Sequence, residues 1–380
     1  MDDFKILLIT TGGTIGRHTK NRNNEDDYED PTDKSLFQES IEDIEERLND
    51  IASKQRAQDR ETYVLSSIKI IKVLDKDSAA ITPTDWKVLI ETIIENYNNY
   101  DAFVITHGTN TMGYTSAALS FALGNLAKPI ILTGAQVSFG HSGSDAQTNL
   151  ENAIRIASYA REKLRGVMVV FGSSIITGTR AKKRTQFDYD AFKSFNTGTI
   201  GKIGNYIQID SAALNKHISF LGAGATKSDE LDIKDDFDMS IASLTEYPGM
   251  DSNFIKALVM YELYPIKGII LRATGAGDPN ILPINKATNC SADLREGFEF
   301  LREKEIPIVV TTQAPDGVAS MDINEPGVEA VKLGAIPAHD MSMESMSVKL
   351  AWLLGRKLPY EVIREQMVQS IRGEILIGSR

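Results

Sequence analysis

The sequence predicts an α/β protein in two parts, a larger amino-terminal parallel-sheet domain followed by a smaller carboxy-terminal α/β domain. Three observations carry this. Short β-rich apolar runs alternate with helical stretches, the pattern of a parallel sheet covered on both faces. At 380 residues and 42% hydrophobic, the chain is long enough to bury more than one core. Between residues 211 and 238 the periodicity lapses, with Gly222-Ala223-Gly224 and an acidic run over 229–238, which reads as a linker. The expected units are therefore 1–210 and 239–380, joined by 211–238.

Taken in order, Phe4-Lys5-Ile6-Leu7-Leu8-Ile9 reads as a buried first strand. Segment 17–34 is almost wholly polar around a lone Tyr28, the composition of an exposed loop of the kind that closes over a site. Ile41, Ile44, Leu48 and Ile51 recur at helical spacing among charges, so a surface helix covers the sheet there. Runs 64–73, 102–106, 129–133, 167–171 and 203–209 read as strands, and 86–97, 115–126 and 149–163 as helices. In the second unit, strands are expected at 241–246, 268–272 and 306–311, with helices at 251–259, 292–303, 344–354 and 360–371. There is no internal repeat.

Composition excludes several functions. No stretch reaches the ~18 consecutive apolar residues of a membrane-spanning helix, and Met1-Asp2-Asp3 lacks the cationic start of a signal peptide. Cytoplasmic residence and no membrane partner are the expectation. The one cysteine, Cys290, has no internal partner for a disulfide and reads as structural. A formal net charge of −11 argues against unaided binding to nucleic acid.

The phrase Thr10-Thr11-Gly12-Gly13-Thr14-Ile15-Gly16 follows the first strand, so a hydroxyl-rich glycine turn sits where parallel sheets place their ligands. Glycines let backbone approach a ligand closely, and nearby N–H groups suit a developing oxyanion. Thr106-His107-Gly108-Thr109-Asn110-Thr111-Met112, Thr133-Gly134-Ala135-Gln136 and Gly178-Thr179-Arg180-Ala181-Lys182-Lys183 repeat the theme at later strand ends. Two threonines with a lysine able to act as base suit amide hydrolysis, in which a weak hydroxyl nucleophile needs a deprotonating neighbour. His107 reads as a packed, hydrogen-bonded residue outside the chemistry.

With Ser144-Asp145-Ala146-Gln147-Thr148-Asn149-Leu150, the run from Gly178-Thr179-Arg180 through Lys183 to Phe192, and Tyr247-Pro248-Gly249, these phrases form an ordered set. In that set the chain resembles the bacterial-type L-asparaginase (asparaginase/glutaminase) family, which also includes the glutamine-cleaving subunit of archaeal glutamyl-tRNA amidotransferase. The resemblance spans nearly the whole chain. It implies the two-domain asparaginase-like fold, a homodimer or homotetramer, a small-molecule amide substrate, and neither cofactor nor metal. It assigns Thr14 as nucleophile, Tyr28 as its hydrogen-bond partner, and Thr109 with Lys183 as the rest of the catalytic set. Lys183 is chosen over Lys182 for its spacing to Phe192. Ser78 matches a contact to the substrate's α-carboxylate, and Gly13, Asn110, Gln136 and Asp278 complete the implied substrate contacts.

The chain departs from the family at Asn110, where asparaginases place an aspartate that receives the substrate's α-ammonium, and at Ala79 and Ala80, where polar residues are common. Asp278 stands where the family usually has asparagine, so the resemblance implies that Asp278 of a neighbouring subunit restores the missing charge. The reading is a side-chain amidohydrolase with L-asparagine as first substrate. Two alternatives stand beside it. An ammonia-supplying glutaminase subunit is favoured by the Gly-Ala-Gln and Ser-Asp-Ala phrases, and opposed by a chain that opens on its first strand. A ligand-binding sensor is favoured by Asn110 and Ala80, and opposed by the retention of Thr14, Thr109 and Lys183 together.

Overall fold

The apolar run near the amino terminus forms β1 (Phe4–Thr10), whose Ile6, Leu7, Leu8 and Ile9 are completely buried. Burial on both faces is what a continuous, rather than alternating, apolar run requires, and each such side chain contributes about 1.5–3 kcal/mol. The computed structural model describes residues 4–16, 18–19, 28–29, 36–53, 66–159, 164–221, 231–281 and 293–376, and the chain divides into two units, Met1–Asp235 and Asp236–Arg380.

In the first unit β1 is followed by α1 (Leu36–Ser53), β2 (Ser66–Lys72), α2 (Pro83–Asn96), β3 (Ala102–Thr106), α3 (Met112–Ala122), β4 (Pro129–Thr133) and α4 (Ala146–Ala157). Then come β5 (Gly166–Phe171), β6 (Ser174–Thr177), β7 (Ala181–Lys183), β8 (Phe192–Ser194), β9 (Gly201–Ile203), β10 (Ile207–Ile209) and α5 (Ser211–Ser219). Among the described residues, eight strands make one sheet in the order β10-β9-β6-β5-β4-β3-β1-β2. From β2 to β5 neighbouring strands are parallel, and β6, β9 and β10 extend the sheet antiparallel. Ile41, Ile44 and Leu48 of α1 lie in the core with Ile6, Leu8 and Val104. Thr10 pairs with Thr106, and Thr106 with Thr133, so three strands end level with one another on threonines. Each leads into a glycine turn, and the crevice at their carboxyl ends is where a parallel sheet offers its ligand site.

Two expectations about this unit are corrected. The run 203–209 is not one strand but a hairpin, in which Ile203 pairs with Ile207 across a reversal at Gly204. The expected linker 211–238 opens with α5, capped by the Asp210 carboxylate on the Ala212 and Ala213 N–H groups and anchored by buried Leu214. Further on, Asp232–Ile233 pairs with Leu123–Gly124. The polar sequence hid α5 because Leu214 and His217 are its buried residues, too few to mark an apolar stripe.

The second unit contains β11 (Ile241–Thr245), α6 (Ser252–Val259), β12 (Gly268–Ala273), α7 (Arg295–Glu303), β13 (Ile308–Thr312), α8 (Glu325–Lys332), β14 (Ile336–Pro337), α9 (Met343–Gly355) and α10 (Tyr360–Val368). Among the described residues, its four strands are parallel in the order β11-β12-β13-β14, over a core that includes Ile269, Leu271, Phe298, Leu301 and Val310. Pro326 lies in the first turn of α8, where proline is tolerated because its missing N–H has no intrahelical acceptor. Cys290 falls outside the described residues. Among the described residues no helix is long and apolar enough to cross a membrane.

Candidate active site

Gly12 and Gly13 lie at φ +90° and +77°, a region most side chains avoid, and a Cβ on Gly13 would stand 2.6 Å from the Gly108 backbone. The β1 turn and the β3 turn therefore touch main chain to main chain, and only glycine permits it. Thr14 begins a short 3₁₀ turn (Thr14–Gly16) beyond this contact and is half-buried. Backbone bonds from Val73 to Thr10 and from Lys76 to Thr11 draw the 73–77 segment over the same strand end. There Ser78 is buried, its Oγ accepting from the Asn110 N–H at 3.2 Å and its carbonyl receiving the Thr111 hydroxyl at 2.6 Å.

A cavity of about 220 Å³ opens between these turns, lined by Gly13, Thr14, Asp77, Ser78, Gly108, Thr109, Asn110, Gln136, Lys183 and Gln186. Lys183 reaches it from the β7–β8 ribbon, where it pairs with Phe192. Its Nζ donates to Thr109 Oγ1 at 2.7 Å and to Asn110 Oδ1 at 3.0 Å. Neighbouring Lys182 instead sits over the Phe195 ring, 4.4 Å from its centroid, as alternation along a strand dictates. The turn that delivers the ribbon is held from below by α3, whose Ser116 hydroxyl donates to Gly178 O at 2.7 Å. Burial pushes the Lys183 pKa below its usual 10.5, opposed by the field of Asp77. Its hydrogen-bond partners here, a hydroxyl and an amide oxygen, carry no charge with which to retain the proton.

Gln136 joins the walls: its N–H meets both Asp145 carboxylate oxygens at 3.0 Å, its Nε2 donates to the Thr185 and Asp188 carbonyls, and its Oε1 faces Thr109 at 3.4 Å. His107 is fully buried, bonded through Nδ1 to Gly108 O and through Nε2 to Thr115 Oγ1, which also receives Trp86 Nε1. Burial pushes its pKa down to about 4, so it is a neutral support beneath the β3 turn.

Comparison with known proteins gives the family. Residues 5–215 match the family model described as "Asparaginase, N-terminal", and residues 240–367 match that described as "Glutaminase/Asparaginase C-terminal domain". The chain belongs to the asparaginase family. It is 35% identical to L-asparaginase 1 of Escherichia coli K12 over 299 residues, covering 79% of this chain and 82% of that one. It is also 30% identical to a glutamyl-tRNA(Gln) amidotransferase subunit of Pyrococcus abyssi over 381 residues, covering 98% of this chain and 76% of that one. The solved thermostable L-asparaginase of Thermococcus kodakarensis superposes with a TM-score of 0.78 at 28% identity, covering 99% of this chain and all of that one.

Within this asparaginase-family fold, Gly13, Thr14, Ser78, Thr109, Asn110, Gln136 and Lys183 come together around one cavity. Tyr28 pairs through its backbone with Thr19, and its side chain lies outside what the structure describes, as does most of segment 17–34. Asp278 belongs to the second unit and is not among the residues lining the cavity. There its Oδ2 accepts from the Ala276 N–H at 3.1 Å and from Asn324 Nδ2 at 2.8 Å, closing its own loop. Sequence reasoning missed Asp77 and Gln186 as wall residues. Asp77 directly precedes Ser78 and Gln186 lies three residues beyond Lys183, so adjacency was the one available signal. Among the described residues no cluster of three or more His, Cys, Asp or Glu side chains is placed to hold a metal ion.

Proposed function

We propose that this chain is an asparaginase-type amidohydrolase that converts the side-chain amide of a small amino acid, L-asparagine first, to the acid and ammonia. The observation that carries this reading is the 2.7 Å bond between Lys183 Nζ and Thr109 Oγ1 on the wall of a cavity that Thr14 also lines. Thr14 Oγ attacks the amide carbon, its proton passing to the protein, and the C–N bond breaks as the nitrogen leaves protonated as ammonia. Water then cleaves the Thr14 ester, releasing the acid and restoring the hydroxyl. Lys183, its ammonium form disfavoured by burial, is the base of the site. Tyr28 as hydrogen-bond partner of Thr14, a homodimer or homotetramer, and cytoplasmic residence belong to the same reading.

The test is ammonia release from asparagine, glutamine, their α-N-blocked forms and small peptides. Thr14→Ala is expected to abolish turnover with folding and oligomer size unchanged, since loss of a nucleophile costs several orders of magnitude. Retention of more than about a tenth of the wild-type rate would overturn the assignment. A second reading, the ammonia-supplying glutaminase subunit, is favoured by the match to the Pyrococcus abyssi protein over 98% of this chain. Glutamine turnover that depends on an added partner protein separates the two.

A further inference from the structure

Among the described residues, the cavity wall carries two charged side chains, Asp77 and Lys183. Lys183 is engaged by Thr109 and Asn110. Because a lysine nitrogen donates to Asn110, the amide oxygen must face it, which leaves Nδ2, a donor, as the other end of that side chain. Asn110 thus offers a substrate cation at most the second lone pair of that neutral oxygen, and no charge. Asp77 is different. It is exposed at the cavity, and its Oδ1 accepts from the Ala79 N–H at 2.8 Å, capping the turn that presents Ser78. A carboxylate has four acceptor sites and this cap uses one. Ser78 Oγ, already accepting from the Asn110 N–H, keeps its own proton to donate. The two adjacent residues therefore offer complementary groups, a hydroxyl donor for a carboxylate and a carboxylate for an ammonium.

We propose that Asp77 is the specificity-determining residue of this site, its carboxylate receiving the α-ammonium of a zwitterionic amino-acid amide in place of the neutral Asn110. The proposal rests on the amidohydrolase reading and names its substrate class. At about 220 Å³ the cavity lies below the roughly 300–1,000 Å³ of pockets for drug-sized ligands, as a small amino-acid amide requires. The field of Asp77 also reaches Lys183 and favours its charged form. A bound ammonium facing Asp77 offsets that field, so occupancy by the matching substrate frees Lys183 to act as base.

Succinamic acid, which has the carboxylate and side-chain amide of asparagine but no amino group, is the probe. Values of kcat/KM for asparagine and succinamate are measured for the wild type, Asp77→Asn and Asp278→Asn. Asparagine side chains also cap turns of this kind, so Asp77→Asn removes the charge and keeps the Ala79 bond. Asp77→Ser serves in its place if thermal melts show the first variant unfolded. The wild type is expected to prefer asparagine, and Asp77→Asn to reduce that preference at least about ten-fold, mainly through KM, the worth of one charge-assisted hydrogen bond. Equal losses with both substrates would mean that Asp77 acts through its cap alone, and would overturn the proposal. So would a wild type without preference, or a preference moved by Asp278→Asn and not by Asp77→Asn. If the wild type hydrolyses neither amide, the amidohydrolase reading fails on its own. Calorimetric titration of wild type and Asp77→Asn with the two compounds then decides Asp77 separately: loss of selective asparagine binding supports the proposal, and unchanged selectivity overturns it.

Discussion

Lys183 in the first unit and Lys349 in the second each turn an ammonium away from bulk water, but toward different partners. Lys349, on α9, is completely buried, with Nζ 2.6 Å from Glu374 Oε1. It also donates to the Met367 and Gln369 carbonyls, while the Glu374 oxygens receive the Ile371 and Arg372 N–H groups. Burial pushes the Lys349 pKa down and the carboxylate pushes it back, while the same pairing holds Glu374 below the usual carboxylate range. Its donors are used up, and the pair fastens the segment after α10 to α9. Lys183 is half-buried, and it donates to neutral oxygens of Thr109 and Asn110. A lysine bound to a carboxylate is a fastener. A lysine given hydroxyl and amide partners can lose its proton, which is the requirement for a base.

The largest expected effect separates the two roles at once. Lys183→Met is expected to lower kcat/KM for asparagine by about 10²–10⁴, the usual contribution of a general base, with little change in the thermal melt because no carboxylate is left unpaired. A melting-point loss comparable to that of a Lys349 variant would show that Lys183 is a fastener too. Lys349→Met is expected to destabilise the second unit by about 3–5 kcal/mol, because Glu374 then stays buried without its counter-charge. Adding Glu374→Leu should recover more than half of that loss in urea unfolding, since an apolar pair of similar volume avoids the desolvation. No recovery would mean that the backbone contacts of the pair, not its charges, hold the segment. The sign of the pH dependence follows from Glu374. Its contribution is fully present above the unfolded value of 4.5 and is lost as pH falls through the lower folded value.

Much of this comparison was legible in sequence, unevenly. The Gly12-Gly13-Thr14 turn could be read because close backbone approach demands glycine at fixed spacing after a strand, and the structure sets Gly13 against Gly108. The resemblance selects Lys183 over Lys182, because Lys183 keeps the family's spacing to Phe192; in the β7–β8 register Lys183 lies opposite Phe192. Lys349 gives no such sign, since a lysine in an otherwise helical stretch looks like any solvated charge until tertiary packing brings Glu374 onto it. Asp77 and Gln186 were missed for the same reason, because neither carries a period and each reaches the cavity through the path of a loop. The 203–209 hairpin and α5 were hidden by local composition that tertiary contacts override, in one case a reversal at Gly204 and in the other a helix with few buried residues.

The smallest expected effect sharpens the comparison most, because it gives Lys183 the kind of partner that Lys349 has. Asn110→Asp places a carboxylate where an amide oxygen now lies 3.0 Å from Lys183 Nζ. An anion at that distance favours the ammonium, so the Lys183 pKa rises toward or past its usual 10.5, reversing the effect of burial. If the neutral amine is the active form, log kcat/KM climbs with pH through the Lys183 value, and in the variant that climb moves to higher pH. Succinamate is the substrate to use, since without an ammonium it gains nothing from the added charge and reports the lysine alone. At pH 7 the variant is expected to be slower with it, about ten-fold for each unit by which the pKa rises. A profile that keeps its position would mean that the titrating base is another group, and that the contrast between the two lysines is one of burial and not of charge.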